Sequence, residues 1–137
     1  MKVAVLGGCG GIGRSLVAGL LAKGDEVAVL DLPISLERHP PPAGVLALPV
    51  DGSDAASVDA AFGSLRSAWG TLDGFVNLAG FMIGLKPLRD VPADDFDDVV
   101  EGNVRTTFLA CRAAMPLLEA GAGGSLVNIA SGLAQFV

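Results

Sequence analysis

The sequence predicts an α/β fold, a doubly wound parallel sheet with strand order 3-2-1-4-5 and helices on both faces. Three observations predict it. Short apolar runs alternate with segments of helical periodicity along the whole chain. A glycine-rich turn separates the first apolar run from the first helical segment. The composition, 51% hydrophobic and 18% charged with a mean hydropathy of +0.57, fits strands that are buried on both faces.

Length and charge narrow the possible classes of protein. We expect residues 1–137 to form a single domain, because a chain of this length is one domain or a piece of one. The net charge of −6 argues against a nucleic-acid partner, since binding to phosphates needs clustered Lys and Arg. No uncharged apolar run approaches the ~20 residues of a membrane span, so no membrane partner is expected. Cys9 and Cys111 make neither a disulfide framework nor a metal-binding pattern, which favours a reducing, cytoplasmic location.

Each element of the predicted fold has a local justification. Apolar runs predict strands at residues 2–6, 26–30, 45–50, 74–78 and 125–130. Helical spacing of apolar residues predicts helices at 12–23, 55–69 and 92–115. Ser53 or Asp54 can cap the second helix, and Pro116 and Gly121 are expected to mark the end of the third. The segment between strands two and three is predicted to be a loop, stiffened by the prolines that follow His39.

The turn from Gly7 to Gly13 is the first candidate site. A strand that stops in a glycine turn and restarts as a helix leaves backbone N–H groups directed at open space, and the helix dipole adds positive potential there. Such a turn can bind a pyrophosphate, because glycine permits both the bend and the close approach. The alternative is a turn that serves only tight packing of strand against helix.

Asp31 follows strand two, about 20 residues after the glycine turn. This is the place of the acidic residue that binds the ribose hydroxyls of a dinucleotide. A carboxylate here repels a 2′-phosphate, so NAD is favoured over NADP. Arg14 could attract a 2′-phosphate, although its place on the first helical turn favours a solvent-facing side chain. The alternative for Asp31 is a solvated turn residue.

Four motifs together resemble the short-chain dehydrogenase/reductase family, in its classical branch. They are Gly7-x-x-x-Gly11-Ile12-Gly13, Asn77-Leu78-Ala79-Gly80, Asn103 within a helix, and Val127-Asn128-Ile129-Ala130-Ser131. The match covers the whole chain in the right order. Leu6 and Leu78 stand where the family usually has Thr and Asn. The resemblance implies a Rossmann-type fold and an NAD(P)-dependent oxidoreductase that moves hydride between nicotinamide and a carbonyl or secondary alcohol.

The resemblance also implies roles in cofactor binding. The glycines expected at the pyrophosphate are Gly7, Gly10, Gly11 and Gly13. Ile12 would lie on the nicotinamide side, and Asp51 would meet the adenine amino group, with a loop residue or helix cap as the alternative. The residues expected along the ribose are Asn77, Ala79 and Gly80. Asn77 could equally be a buried amide that ties strand ends together.

Two residues match catalytic positions of the family. Ser131 would hydrogen-bond the substrate oxygen, and the alternative is an ordinary serine at a strand end. Asn103 shares a helical stripe with Phe96, Val100 and Thr107, which predicts that it faces inward. By resemblance its backbone carbonyl would hold a water of a proton relay at a helix kink. The alternative is a kink residue whose amide is satisfied by a neighbouring strand.

The family's proton donor is absent from this sequence. That donor is the Tyr of a Tyr-x-x-x-Lys pair beyond Ser131, whereas the chain contains no Tyr and ends at Val137. We therefore expect the amino-terminal part of an oxidoreductase, without the last helix and strands of the family fold and inactive alone. The alternative is a non-catalytic dinucleotide-binding or interaction module. An open apolar edge at strand five should favour self-association, and the complete protein is expected to be a homo-oligomer acting on a small carbonyl or alcohol.

Overall fold

Five parallel strands form one sheet in the computed structural model, which describes residues 1–132. The strands are β1 (Lys2–Leu6), β2 (Glu26–Asp31), β3 (Leu46–Pro49), β4 (Gly74–Asn77) and β5 (Ser125–Asn128). Their order is β3-β2-β1-β4-β5, and each neighbouring pair is parallel. The predicted fold class and strand order are confirmed.

Helices connect the strands. They are α1 (Gly11–Ala22), α2 (Pro33–Arg38), α3 (Ala55–Trp69), α4 (Ala93–Val100) and α5 (Thr106–Glu119). A single turn of π-helix, Glu101–Arg105, joins α4 to α5, and we call it the π-turn. A short 3₁₀ turn, Leu88–Asp90, precedes α4. Within residues 1–132, no helix has the length and apolar character needed to cross a membrane.

Alternate residues of β1 pack into two separate cores. Val3 and Val5 lie in a cluster with residues of α1 on one face of the sheet. Ala4 and Leu6 lie in a larger cluster with residues of α3 and α5 on the other face. This alternation follows from the period of two residues in a strand. Both faces of the central strands are therefore covered, as the apolar composition predicts.

Two predicted boundaries were wrong. The segment after Asp31 was predicted to be a loop, but α2 begins there with Pro33 at its first position, where the fixed φ and missing N–H of proline are tolerated. A helix end at about Met115, marked by Pro116 and Gly121, was predicted, but α5 continues through Pro116 to Glu119, with Ala120 as its C-cap directly before Gly121. The continuation buries Leu117 and Leu118, which are 1% and 4% exposed, and this burial offsets the hydrogen bond that proline cannot make.

The β5 side of the molecule is much less covered than the centre. Val127 is 44% exposed and Ile129 is 58% exposed. Phe96 and Phe108, on the helices that precede β5, are 63% and 61% exposed. The predicted open apolar edge at β5 is present in the described part of the chain.

Candidate functional site

The glycine turn lies between β1 and α1. Gly7 has a φ of +81°, a conformation that glycine adopts at little cost, and its N–H donates to the Leu30 carbonyl at 2.8 Å. Gly10 is the N-cap of α1 and offers no side-chain acceptor to the amides of the first helical turn. Those amides have no partner within the helix, so they are available to an anion at its positive end.

The start of α1 lies in close contact with the turn itself. A Cβ atom added to Gly13 would collide with the carbonyl oxygen of Gly7. One added to Gly7 would be 3.0 Å from the backbone nitrogen of Ala79, in the segment that follows β4. At Gly7 and Gly13 two strand ends and the first turn of a helix therefore meet with no room for a side chain. The backbone of Gly7 forms part of a cavity wall to which Cys9 and Arg14 also belong.

Asp31 is joined to this turn by hydrogen bonds. Its Oδ2 accepts from the backbone N–H of Cys9 at 2.8 Å, and its Oδ1 accepts from the N–H of Leu32 at 2.8 Å. The side chain is half-buried at the end of β2 and lines the same cavity as the turn. Each carboxylate oxygen keeps a further lone pair, which can accept a ribose hydroxyl. The carboxylate is thus held in place before any ligand arrives.

Cys9 is a neutral, buried residue of the turn. It is 3% exposed, and burial raises the pKa of its thiol to about 11, with the nearby Asp31 carboxylate adding to the effect. This environment suits a small apolar side chain that fills the turn.

Asp51 is exposed on the loop that follows β3 and lines the cavity. Its Oδ1 accepts from both the backbone N–H and the hydroxyl of Ser53, at 3.0 and 2.8 Å. The N-cap of α3 is Asp54, whose carboxylate accepts from the Ala56 N–H at 3.1 Å. Asp51 is therefore not the helix cap, and within the described residues its Oδ2 makes no hydrogen bond.

Asn77 ties three elements together. Its side chain is 3% exposed, and Nδ2 donates to Thr107 Oγ1 at 3.0 Å and to Asn128 Oδ1 at 3.2 Å. Its Oδ1 accepts from the Ala79 N–H at 3.1 Å. The amide thus joins β4 to α5, to β5 and to the segment after β4. This is the structural role proposed as the alternative for Asn77, and the side chain does not line the cavity.

Asn103 lies in the π-turn and is half-buried. Its Oδ1 accepts from the Phe81 N–H at 3.2 Å, and its Nδ2 donates to the carbonyls of Phe81 and Val99, each at 2.9 Å. The predicted inward-facing stripe was wrong in part, because Phe96 and Val100 are 63% and 38% exposed. Periodicity of 3.6 residues does not continue through a π-turn, so residues on its two sides share no simple stripe.

One cavity of about 630 Å³ collects most of the predicted cofactor-binding residues. The predicted residues that line it are Gly7, Gly10, Gly11, Asp31, Asp51, Ala79 and Gly80. Those that do not line it are Ile12, Gly13, Asn77, Asn103 and Ser131. Among the described residues, no group of three or more His, Cys, Asp or Glu side chains could hold a metal ion.

Several residues of the cavity wall were not predicted. Ser35 and Arg38 come from α2, and His39, an exposed residue, follows them. Thr106 comes from the first position of α5. Pro33 was a usable signal for α2, because proline is favoured at the first position of a helix. Nothing in the local sequence places Thr106 at the wall, since that depends on how α5 packs.

Ser131 follows β5 at the carboxyl edge of the sheet and is exposed. Residues 133–137 lie outside the described part of the chain.

Comparisons with known proteins agree on one family. The profile of the family described as "short chain dehydrogenase" matches residues 1–136. The chain is 36% identical to 2-(R)-hydroxypropyl-CoM dehydrogenase of Xanthobacter autotrophicus (strain ATCC BAA-1158 / Py2), over 93% of this chain and 54% of that protein. The crystal structure of levodione reductase superposes with a TM-score of 0.84 and 30% identity, covering 95% of this chain and 54% of the other.

A second solved structure carries a cofactor. The crystal structure of 3-ketoacyl-(acyl-carrier-protein) reductase from Brucella melitensis, complexed with NADH, superposes with a TM-score of 0.86 and 28% identity. The match covers 95% of this chain and 56% of that one. The chain therefore spans about half the length of the relatives it matches.

Proposed function

This chain belongs to the short chain dehydrogenase family, and from that membership we propose that it is the dinucleotide-binding part of an NAD-dependent oxidoreductase. Its matched relatives are named dehydrogenases and reductases. The proposed reaction is hydride transfer between the nicotinamide ring and a small carbonyl compound or secondary alcohol. When bound, the nicotinamide supplies or accepts the hydride.

The connection between the glycine turn and Asp31 is the observation on which this proposal rests. The N–H of Cys9 in the turn donates to Asp31 Oδ2 at 2.8 Å. This bond places a carboxylate beside a helix start whose N-cap, Gly10, has no side chain to accept from the first amides. Amides at a helix start suit a pyrophosphate, and a carboxylate at this distance suits the two hydroxyls of the attached ribose. We assign NAD rather than NADP, because a 2′-phosphate would meet the negative charge of Asp31.

The two ends of the cavity are assigned to the two ends of the cofactor. Asp51 and its unbonded Oδ2 would accept from the adenine amino group. Ala79 and Gly80 would lie along the second ribose, and Ile12, 70% exposed at the start of α1, would lie on the nicotinamide side. Asn77 would act indirectly, by holding the segment that contains Ala79.

We assign the substrate oxygen to the hydroxyl of Ser131 and a water of the proton relay to the backbone carbonyl of Asn103. The Asn103 carbonyl accepts from the backbone N–H of Thr106, which it shares with the Glu101 carbonyl. A carbonyl oxygen has a second lone pair, and that lone pair is the acceptor we assign to the water. No residue of this chain is assigned as the tyrosine acid, since the sequence contains no Tyr.

Replacement of Asp31 tests the cofactor assignment. Asp31→Asn removes the charge and keeps one acceptor for the Cys9 N–H, while the bond from the Leu32 N–H is lost. Because the bond to the turn is retained, the turn should survive. We expect the Kd for NADH to rise about tenfold, the effect of losing charge-assisted hydrogen bonds, while NADPH binds no more weakly than before. Isothermal titration calorimetry with each coenzyme measures both.

Glu26→Gln is the matched control, because Glu26 is an exposed carboxylate at the opposite end of the same strand. It should leave both dissociation constants unchanged. Tighter binding of NADPH than NADH by the unaltered protein would overturn the assignment to NAD, and absence of binding to either coenzyme would overturn the proposed function.

A non-catalytic dinucleotide-binding or interaction module is the second candidate, favoured by the absence of Tyr from the sequence. It predicts NADH binding without hydride transfer to any carbonyl. Measuring NADH binding and NADH oxidation separates the two candidates when the assayed protein includes whatever sequence follows Val137, since residues 1–137 alone contain no Tyr to donate the proton under either candidate. Hydride transfer that is unchanged in Ser131→Ala would count against the assigned role of Ser131.

Compartment and assembly are proposed on simpler grounds. Cys9 and Cys111 are both free thiols, which suits a reducing cytoplasm. The exposed apolar side chains of the β5 side, such as Phe108 and Ile129, suit a homo-oligomer in which they are covered.

A further inference from the structure

The π-turn contacts the loops at both ends of the cavity. Asn103 exchanges hydrogen bonds with the backbone of Phe81, on the loop after β4. Arg105, two residues later, donates from Nε to the backbone carbonyl of Ser53 at 2.8 Å, on the loop after β3. The second contact involves no residue to which the proposed reaction gives a role. It therefore needs an explanation of its own.

Arg105 reaches Asp51 through one intermediate residue. Ser53, whose carbonyl accepts from Arg105, uses its N–H and its hydroxyl to hold Oδ1 of Asp51, at 3.0 and 2.8 Å. The orientation of the Asp51 carboxylate thus depends on where the Ser53 backbone lies. A guanidinium is always charged, and its Nε–H gives a directional hydrogen bond to a carbonyl.

A second contact brings the same two segments together. A Cβ atom on Gly52 would lie 2.5 Å from Cγ2 of Thr106, so only glycine lets the loop approach α5 this closely. Two consecutive helical residues, Arg105 and Thr106, therefore meet two consecutive loop residues, Gly52 and Ser53. The loop after β3 is therefore held both by the close packing of Gly52 against Thr106 and by the hydrogen bond from Arg105 to Ser53.

We propose that Arg105 is a positioning residue for the adenine end of the cofactor site, acting through Ser53 to hold Asp51 in the orientation that accepts the adenine amino group. This inference rests on the proposed function. Arg105 itself touches neither the cofactor nor the reacting atoms in this scheme. The π-turn then serves both ends of the cavity, with Asn103 directed to one loop and Arg105 to the other.

The test separates adenine binding from the rest of the site. Arg105→Met removes the donor, and Arg105→Lys restores a cationic donor that can reach the Ser53 carbonyl. Arg112→Met is the matched control. Arg112 lies on α5, which follows the π-turn directly, but it contacts Asp59 and the Phe108 ring instead of the loop after β3. Each variant is titrated with NADH, with AMP and with reduced nicotinamide mononucleotide, which has no adenine.

We expect Arg105→Met to raise the Kd for NADH and for AMP about fivefold, the effect of one orienting hydrogen bond. The Kd for reduced nicotinamide mononucleotide should not change, Arg105→Lys should recover most of the affinity, and Arg112→Met should bind as the unaltered protein does. Thermal unfolding of all variants checks that the fold persists.

Equal weakening of all three ligands by Arg105→Met would overturn the inference, since the residue would then support the whole fold. Unchanged NADH binding in Arg105→Met would also overturn it and would leave the proposed function standing. Failure of the unaltered protein to bind NADH would instead overturn the proposed function.

Discussion

The central strands of the sheet and its β5 edge differ in how completely their apolar residues are buried. Around β1 and β2, the residues from Val27 to Leu30 are at most 2% exposed, and Val5 is fully buried. Around β5, Val127 and Ile129 are 44% and 58% exposed. The central strands, which lead into the glycine turn, are covered by residues of the described chain itself. The β5 side, which contains Ser131, still has apolar surface that a neighbour could cover, so the residues proposed to bind the cofactor and those proposed to be catalytic lie in regions of unequal burial.

The largest expected effect contrasts two adjacent residues of α5. Leu109 is 4% exposed within the large core, whereas Phe108 is 61% exposed. Leu109→Ala should lower the free energy of unfolding by about 2–5 kcal/mol, because it leaves a cavity. Phe108→Ala should change it by no more than about 0.5 kcal/mol, as expected for a surface position. Urea denaturation of both variants measures these values.

The stability of Phe108→Ala can contradict the contrast between the buried central strands and the exposed β5 edge. If Phe108→Ala costs as much as Leu109→Ala, then Phe108 is buried in the assembled protein and the β5 side is not open in solution. Sedimentation velocity across a range of protein concentrations would then identify a second copy as the cover.

A smaller effect is expected at the glycine turn. Gly13→Ala places a Cβ against the Gly7 carbonyl, and the resulting shift of backbone should cost about 1–3 kcal/mol of stability and abolish NADH binding. Gly19→Ala is the matched control in the same helix, because an added Cβ there meets nothing within 4 Å. It should stabilise the protein by about 0.5–1 kcal/mol. Tight NADH binding by Gly13→Ala would show that close approach at this turn is dispensable.

The smallest effect concerns the buried thiol of the same turn. Burial raises the pKa of Cys9 to about 11 from an ordinary value of 9.0. A raised folded-state pKa means that the stability contribution is complete below pH 9.0 and is lost as the pH rises towards 11. The free energy of unfolding should therefore fall less steeply over this range in Cys9→Ala than in the unaltered protein. Cys111→Ala, at a half-buried position, should keep the steeper fall.

Sequence patterns alone predicted the elements around the glycine turn, because residues that are close together in the sequence determine them. The apolar run of β1, the glycine turn and Asp31 follow one another along the chain, and parallel connections of fixed hand then leave few possible strand orders. Asp54 as the cap of α3 was one of two predicted candidates, and the structure selects it.

Features set by distant contacts could not be predicted in the same way. The π-turn forms where the Asn103 side chain bonds to Phe81, a residue of another loop, and to Val99 of its own helix. The passage of α5 beyond Pro116 depends on the burial of Leu117 against strands far away in sequence. Local propensity favours the opposite result at Pro116, and tertiary packing overrides it.

The π-turn also determines which residues of α5 face the core. In a regular helix each residue advances by about 100° around the axis, and the π-turn holds about one residue more than an α-helical turn would. An insertion or deletion of one residue between Glu101 and Arg105 would therefore rotate the whole of α5 and exchange the surroundings of Leu109 and Phe108. An inserted or deleted residue should accordingly be tolerated in the irregular segment from Met82 to Leu85 but not at these five positions.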